Sequence, residues 1–202
     1  VLLFVGIYIV RTVVSMAGQG VSDGNGMQYV KEWAAMFKDP VMWLNIVALP
    51  INYFFVFIAF FGEEYGWRYY LQPILQKKFG LRAGVIVLGV VWGLWHIPDD
   101  LFYYTQTSGI QMIFAQQITC IALGIFFAYA YMKTKNIWVP VCLHYLNNNL
   151  IPIISGTFSA DVLENQTVSW KELPAALVLN GLCFGFFLLA DVFKKKEVQK
   201  ED

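Results

Sequence analysis

Phe60-Phe61-Gly62-Glu63-Glu64-Tyr65-Gly66-Trp67-Arg68-Tyr69-Tyr70 sets two adjacent carboxylates and an arginine in a run that is otherwise almost wholly apolar. The residues before it, Tyr53 to Phe61, carry no charge. On a helix in lipid each such charge costs roughly 2.5–3.5 kcal/mol on insertion scales. Ionisable residues kept at that cost face a polar cavity, pair with one another or do chemistry. The chain has two histidines, His96 and His144, and both also interrupt apolar segments. Three polar intrusions into apolar helices predict an all-α transmembrane bundle with a buried polar site.

Composition agrees with that reading. Of 202 residues, 58% are hydrophobic and 14% charged, against about 45–50% and about 25% in a soluble domain. Mean hydropathy is +0.54. The net charge is zero, and no basic, aromatic-interleaved patch suggests nucleic acid. Cys120, Cys142 and Cys183 are odd in number and widely spaced in apolar runs. That spacing excludes a disulfide framework or a C-x-x-C metal knuckle, and they read as small buried hydrophobes. The chain opens at Val1 inside an apolar run, so upstream sequence is expected. No basic segment followed by a small-residue cleavage site marks a signal peptide.

The apolar pattern predicts about five to six spans, each near the roughly 20 residues needed to cross the hydrocarbon core. Val1 to Ser15 reads as the end of a span, with Arg11 near its end. Met16 to Met27 reads as a glycine-rich loop, and Gln28 to Lys38 as a short interfacial helix. Further spans are expected from Val41 through Phe61 toward Leu75, with Pro50 and Pro73 as kinks, then over Leu81–Tyr104, Ile110–Met132, Ile137–Ile154 and Leu173–Val192. Asp99 and Asp100 are expected to end their helix at the outer surface, and Trp92 and Trp95 to serve packing and the interface belt. Residues 1–40 form a partial span with its loop, 41–155 a membrane core, and 156–202 an outer loop, last span and basic tail. Lys77, Lys78 and Arg82, then Lys133 and Lys135, then Lys194, Lys195 and Lys196 alternate so as to fall on one face. By the positive-inside rule that face is cytoplasmic.

Depth links the motifs. At about 1.5 Å per residue, Glu63 lies about 24 Å from the basic turn near Phe79, His96 about 21 Å from Arg82, and His144 and Asn148 about 12 and 18 Å from Asn136. Within one or two turns, three helices bring their polar groups to one layer. Glu64 and Arg68 are four apart with the acid N-terminal, so they can pair on one face. Glu63 is rotated about 100° away and is free to face a cavity. Trp92 and His96 share a face at the same spacing, as do His144 and Asn148.

Two chemistries suit this set. Glu63, His96 and His144 could bind a divalent metal, typically zinc, leaving a position for an activated water. Alternatively, with no metal, Glu63 deprotonates a water with help from His96, while His144 and Asn148 donate to the developing oxyanion. Both amount to a water attacking a carbonyl, as in amide hydrolysis. No serine stands in a G-x-S-x-G setting, and H-E-x-x-H is absent.

At these residues the chain resembles the CAAX protease and bacteriocin-processing family of intramembrane proteases, also called the Abi family. Its pattern is E-E-x-x-x-R, then F-x-x-x-H, then H-x-x-x-N/D. Here these are Glu63-Glu64-Tyr65-Gly66-Trp67-Arg68, Trp92-Gly93-Leu94-Trp95-His96 with tryptophan in place of phenylalanine, and His144-Tyr145-Leu146-Asn147-Asn148. The resemblance covers Val47 to Ile154. It implies an integral protein of the bacterial plasma membrane acting on a peptide or lipid-modified peptide. It further implies water activation by Glu63 and His96, oxyanion stabilisation by His144 and Asn148, and support from Glu64 and Arg68. Metal dependence and a metal-free glutamate mechanism are both consistent with it. Two readings from other classes stand beside the protease. One is a bacteriocin-immunity or binding protein that uses the polar cavity without cleavage. The other is a small transporter with a proton relay, against which the lack of an inverted repeat argues.

Overall fold

The computed structural model describes residues 1–23 and 25–194, with only the backbone given for 19–23 and 26. Lys195 and Lys196 of the basic tail lie outside the described residues. Among the described residues ten α-helices run in chain order: α1 Leu2–Asp23, α2 Gly26–Met36, α3 Pro40–Glu64, α4 Gln72–Phe79, α5 Leu81–Trp95, α6 Ile97–Phe102, α7 Gly109–Thr134, α8 Trp138–Ile154, α9 Ala160–Glu164 and α10 Leu173–Cys183. Tyr65–Leu71 is a π-helical segment between α3 and α4, and Gly185–Leu189 and Asp191–Phe193 are 3-10 turns. No strand occurs among the described residues. Among the described residues three helical stretches, Pro40–Phe79, Leu81–Phe102 and Gly109–Thr134, are long and apolar enough to cross a membrane, with shorter apolar helices over Leu2–Gly18 and Leu173–Cys183. The protein is an all-α membrane bundle.

Local chemistry starts the first long rod. Asp39 Oδ1 accepts from the Val41 N–H at 2.8 Å, and Pro40 sits at the first helical position, where a missing N–H costs nothing. The helix then runs unbroken through Pro50 and the π segment to Phe79. At about 1.5 Å per residue this rod far exceeds the ~30 Å hydrocarbon core. It therefore tilts strongly or projects beyond the lipid. Its apolar side chains, Phe54, Phe55 and Ile58 among them, face outward, as suits a helix at the bundle rim.

α7 is the centre. It packs against α5, α6, α8, α10 and the 3-10 turns, and buries Leu123, Phe126, Phe127 and Ala128. Glycines let the backbones approach closely, as in membrane helix pairs generally. A Cβ on Gly84 would lie 2.6 Å from the Gln76 Cα, and one on Gly89 would lie 2.6 Å from the Ile121 Cα. Gly80, at φ +87°, makes the tight reversal between α4 and α5.

The basic clusters gather at one end. Gln76 Nε2 donates to Met132 Sδ at 3.3 Å, which joins the ends of α4 and α7. Phe193 packs with Val85, Ile125 and Ala128, which brings Lys194 to the same end. At the other end Gln166 N donates to Tyr104 O, and Trp33 Nε1 to Ile154 O.

Three expectations need correction. The stretch read as a glycine-rich loop, Met16 to Met27, is helical through Asp23. The glycine penalty of about 1 kcal/mol per residue is smaller than the cost of leaving backbone groups unbonded near lipid. The span expected over Leu81–Tyr104 is present as Leu81–Phe102, with a single turn residue at His96 between α5 and α6. Pro98 has no N–H to give to the carbonyl one turn back, which weakens the helix at this point. Asp99 is exposed as expected, but Asp100 is buried, and neither of its oxygens has a hydrogen-bond partner among the described residues. The span expected over Leu173–Val192 ends as α-helix at Cys183. Beyond it, Phe184, Phe187 and Phe193 recur at multiples of three and turn inward toward Phe4, Phe126 and Val85. A 3-10 turn aligns side chains three apart on one face.

Adding one methyl at either close approach should therefore destabilise the bundle by about 1–3 kcal/mol through overpacking. Gly84→Ala and Gly89→Ala should lower the melting temperature in detergent, while Gly181→Ala, with nothing within 4 Å of its added Cβ, should not. Unchanged melting for both of the first two variants would contradict the close packing.

Candidate active site

Glu64, the last residue of α3, is fully buried and uses both oxygens. Oε2 accepts from Arg68 Nε at 2.9 Å, and Oε1 accepts from His144 Nδ1 at 2.9 Å. A carboxylate in this setting only accepts, so the His144 Nδ1 carries the proton and the ring is held in one orientation. The i, i+4 pairing of Glu64 with Arg68 is as the spacing predicts. The reach of the same carboxylate to α8, eighty positions along the chain, is beyond any local pattern.

The π segment begins one residue after Glu64. Its i→i+5 bonding, seen in Gln72 N–H to Trp67 O, inserts a residue into the α repeat. Glu64, Arg68 and Gln72 are all buried along one side, while Tyr65 and Tyr69 stack on the outside with ring centroids 4.7 Å apart. Single-turn π insertions recur at functional sites for this reason: they re-aim the following side chains.

Trp92 joins the three motifs. Its ring lies 5.4 Å from the His144 ring, 5.8 Å from the His96 ring and 5.2 Å from the Arg68 guanidinium carbon, centroid measures throughout. Phe127 covers the other side of Arg68 at 5.5 Å. Nη1 and Nη2 of Arg68 are buried without a hydrogen-bond partner among the described residues, and aromatic faces take their place. Cation–π contacts of this kind strengthen on desolvation, to about 2 kcal/mol. Trp92 packs in the buried core as expected, and that core position lies at the heart of the site.

His96 sits at the break between α5 and α6, half-buried. Its Nδ1 donates back to the Trp92 carbonyl at 2.9 Å, which leaves Nε2 as the free ring atom. Cys120 Sγ approaches the same Nδ1 at 3.8 Å. Glu63 is half-buried, takes no part in the Glu64 pairing, and lies with Arg68 and Asp100 within electrostatic range of the Cys120 thiol. Cys120 thus borders His96, and the Glu63 charge reaches it only through space. Asn148 is exposed one turn beyond His144, and its Oδ1 accepts from Asn147 Nδ2 at 2.9 Å.

The structure joins Glu64, Arg68 and His144 directly and sets His96 beside them across Trp92. Glu63 and Asn148 stand at the edge of this cluster. The metal-ligand set Glu63, His96 and His144 is not gathered: among the described residues no group of three His, Cys, Asp or Glu could hold a metal ion. Each Nδ1 is committed to a carbonyl or a carboxylate, which leaves Nε2 as the atom either ring could offer. A shallow apolar groove between α1 and α10, lined by Gly6, Leu182 and Phe187 among others, contains none of these residues. Sequence reasoning missed the π segment, Phe127, Cys120 and Asp100. Only Asp100 left a signal, standing four residues after His96 on the same helical face.

Removing one partner from a buried ion pair leaves an uncompensated charge, at a cost of about 3–5 kcal/mol. Arg68→Met should lower thermal stability accordingly, and Glu64→Met/Arg68→Met should recover most of it. Equal melting of the single and double variants would contradict the pairing.

The family model described as Type II CAAX prenyl endopeptidase Rce1-like matches residues 44–150, more than half of the chain. CAAX prenyl protease 2 of Methanococcus maripaludis is 27% identical over 140 residues, covering 65% of this chain and 49% of that protein. YdiL of Bacillus subtilis, which carries a provisional name as a membrane peptidase, is 25% identical over 118 residues, 58% of this chain and 42% of its own length. The alignments thus span about half or less of these relatives. No solved structure matches the chain.

Proposed function

The chain belongs to the Rce1-like family of type II CAAX prenyl endopeptidases, and on that premise we propose that it is an intramembrane endopeptidase acting on a peptide or lipid-modified peptide. The observation that carries this reading is the meeting of the three motif segments, with Trp92 in contact with Arg68, His96 and His144. Segments distant in sequence have no structural need to bring two imidazoles and a buried acid to one ring in the middle of a membrane bundle. Ionisable residues there are functional by default.

In the mechanism, the Glu63 carboxylate takes a proton from a water that His96 Nε2 helps to hold. The water oxygen bonds to the scissile carbonyl carbon, and the carbonyl oxygen becomes an oxyanion. With Nδ1–H given to Glu64, His144 donates to that oxygen through Nε2–H as the doubly protonated ring, beside the Asn148 carboxamide. The intermediate then collapses, the C–N bond breaks, and the proton held by Glu63 passes to the leaving nitrogen. Glu64 fixes the His144 ring through Nδ1 and stabilises it as a donor, much as a carboxylate orients the imidazole of a catalytic triad. Arg68 holds Glu64 in turn. No step runs through a metal, since the donors are not gathered for one.

The shared end that carries Lys77, Arg82, Lys133 and Lys194 is the cytoplasmic one under the positive-inside rule. The loops around Tyr104 and Gln166 then lie outside. This supports an orientation with the C-terminal end in the cytoplasm of a bacterial cell.

Purified protein in detergent or nanodiscs should hydrolyse a fluorogenic prenylated CAAX peptide. Glu63→Gln and His96→Ala should each lower kcat by at least about 100-fold, the scale of losing an acid–base group. Wild-type rates retained by Glu63→Gln would overturn the proposal. Bacteriocin immunity that survives Glu63→Gln in cells would support binding without cleavage instead. Chelators should leave hydrolysis unchanged, and a loss restored by zinc would bring back the metal-dependent version.

A further inference from the structure

Helix α1 lies outside residues 44–150 that match the family model, yet one of its side chains reaches the site. Tyr8 is buried, with its ring held by Phe4 at 5.2 Å, Phe184 at 5.4 Å and the Arg11 guanidinium at 5.2 Å. Its hydroxyl donates to Asn147 Oδ1 at 2.7 Å. Asn147 Nδ2 then donates to Asn148 Oδ1 at 2.9 Å.

The direction of these bonds matters. A carboxamide has an acceptor end and a donor end on opposite sides of one planar group. Tyr8 occupies the acceptor end of Asn147, so Asn147 offers its donor end to Asn148. That bond occupies the acceptor end of Asn148, and the free end is Nδ2 with its N–H donors. Without the relay the Asn148 amide can turn over at little cost. It would then aim Oδ1 at the oxyanion and repel it.

We infer that Tyr8 and Asn147 are positioning residues that fix the Asn148 amide with its donors toward the reacting carbonyl. The inference rests on the reading of Asn148 as an oxyanion donor. It also gives each residue of the Asn147-Asn148-Asn149 run its own task. Asn147 relays, Asn148 donates, and Asn149 ties helices, since its Nδ2 donates to Tyr145 O and its Oδ1 accepts from Asn52 of α3 at 3.5 Å.

The test uses the full chain in nanodiscs with the fluorogenic prenylated peptide. Removing an oxyanion donor costs on the order of 100-fold in kcat, and Asn148→Ala should show that loss. Tyr8→Phe should lower kcat by about 2- to 13-fold, the worth of one orienting hydrogen bond, with KM unchanged. In the Asn148→Ala background Tyr8→Phe should cost nothing further, because its effect passes only through Asn148. Asn147→Asp keeps the acceptor for Tyr8 and loses the donor for Asn148, so it should be impaired at least as much as Tyr8→Phe. An equal Tyr8→Phe loss in both backgrounds, or full activity in Asn147→Asp, overturns the relay. A second readout does not depend on catalysis. In asparagine-labelled protein the Asn148 side-chain amide signal, identified by its absence in Asn148→Ala, should shift in Tyr8→Phe. If it does not move, the relay is wrong even where hydrolysis is absent; if it moves while the wild type cleaves nothing, the relay stands and the protease reading falls.

Discussion

A carboxylate buried among lipid-embedded helices has no water to turn to, and Glu64 meets that constraint by holding a partner on each oxygen. One partner, Arg68, lies on its own rod; the other, His144, lies on α8. The same atoms that neutralise the charge therefore fasten two helices at a fixed depth. Coulomb attraction is strong at low dielectric, and so is the penalty for an unpaired charge. Both effects favour one arrangement over any slipped register. The rest of the site is built against this fixed point.

Aromatic rings complete what hydrogen bonds leave undone. Trp92 and Phe127 face the Arg68 guanidinium, and Phe60, Trp92 and Phe127 surround the His144 ring. They exclude competing hydrogen-bond partners, and one indole touches both imidazoles. The π segment supplies the register that buries Arg68, and the turn at His96, two residues before Pro98, interrupts the α repeat there. Each is a local departure from the ideal helix, and both fall at the residues that meet. The glycine contacts of α5 with α4 and α7 bring Trp92 close enough to take part.

Much of this was legible in the residues. Helical periodicity and scarce charge gave an all-α membrane bundle, and i, i+4 spacing paired Glu64 with Arg68. Counting depth from basic turns brought His96 and His144 to the level of the acids, because rise per residue is nearly constant whatever the neighbours. What stayed hidden depends on contacts between segments. No local rule indicates that Glu64 also binds His144, or that Tyr8 reaches Asn147 across 139 positions. The glycine-rich run after Met16 looked like a loop because glycine propensity was measured in water, where free backbone groups are solvated. The end of α10 at Cys183 follows from phenylalanines that find their partners only in the folded bundle.

The most direct test is a dipolar-coupling measurement by solid-state NMR between labelled Glu64 Cδ and His144 Nδ1 in lipid. A strong coupling, as a 2.9 Å Oε1–Nδ1 contact requires, is the predicted result. No coupling to Glu64, or one that appears only when the label is on Glu63, would contradict the account.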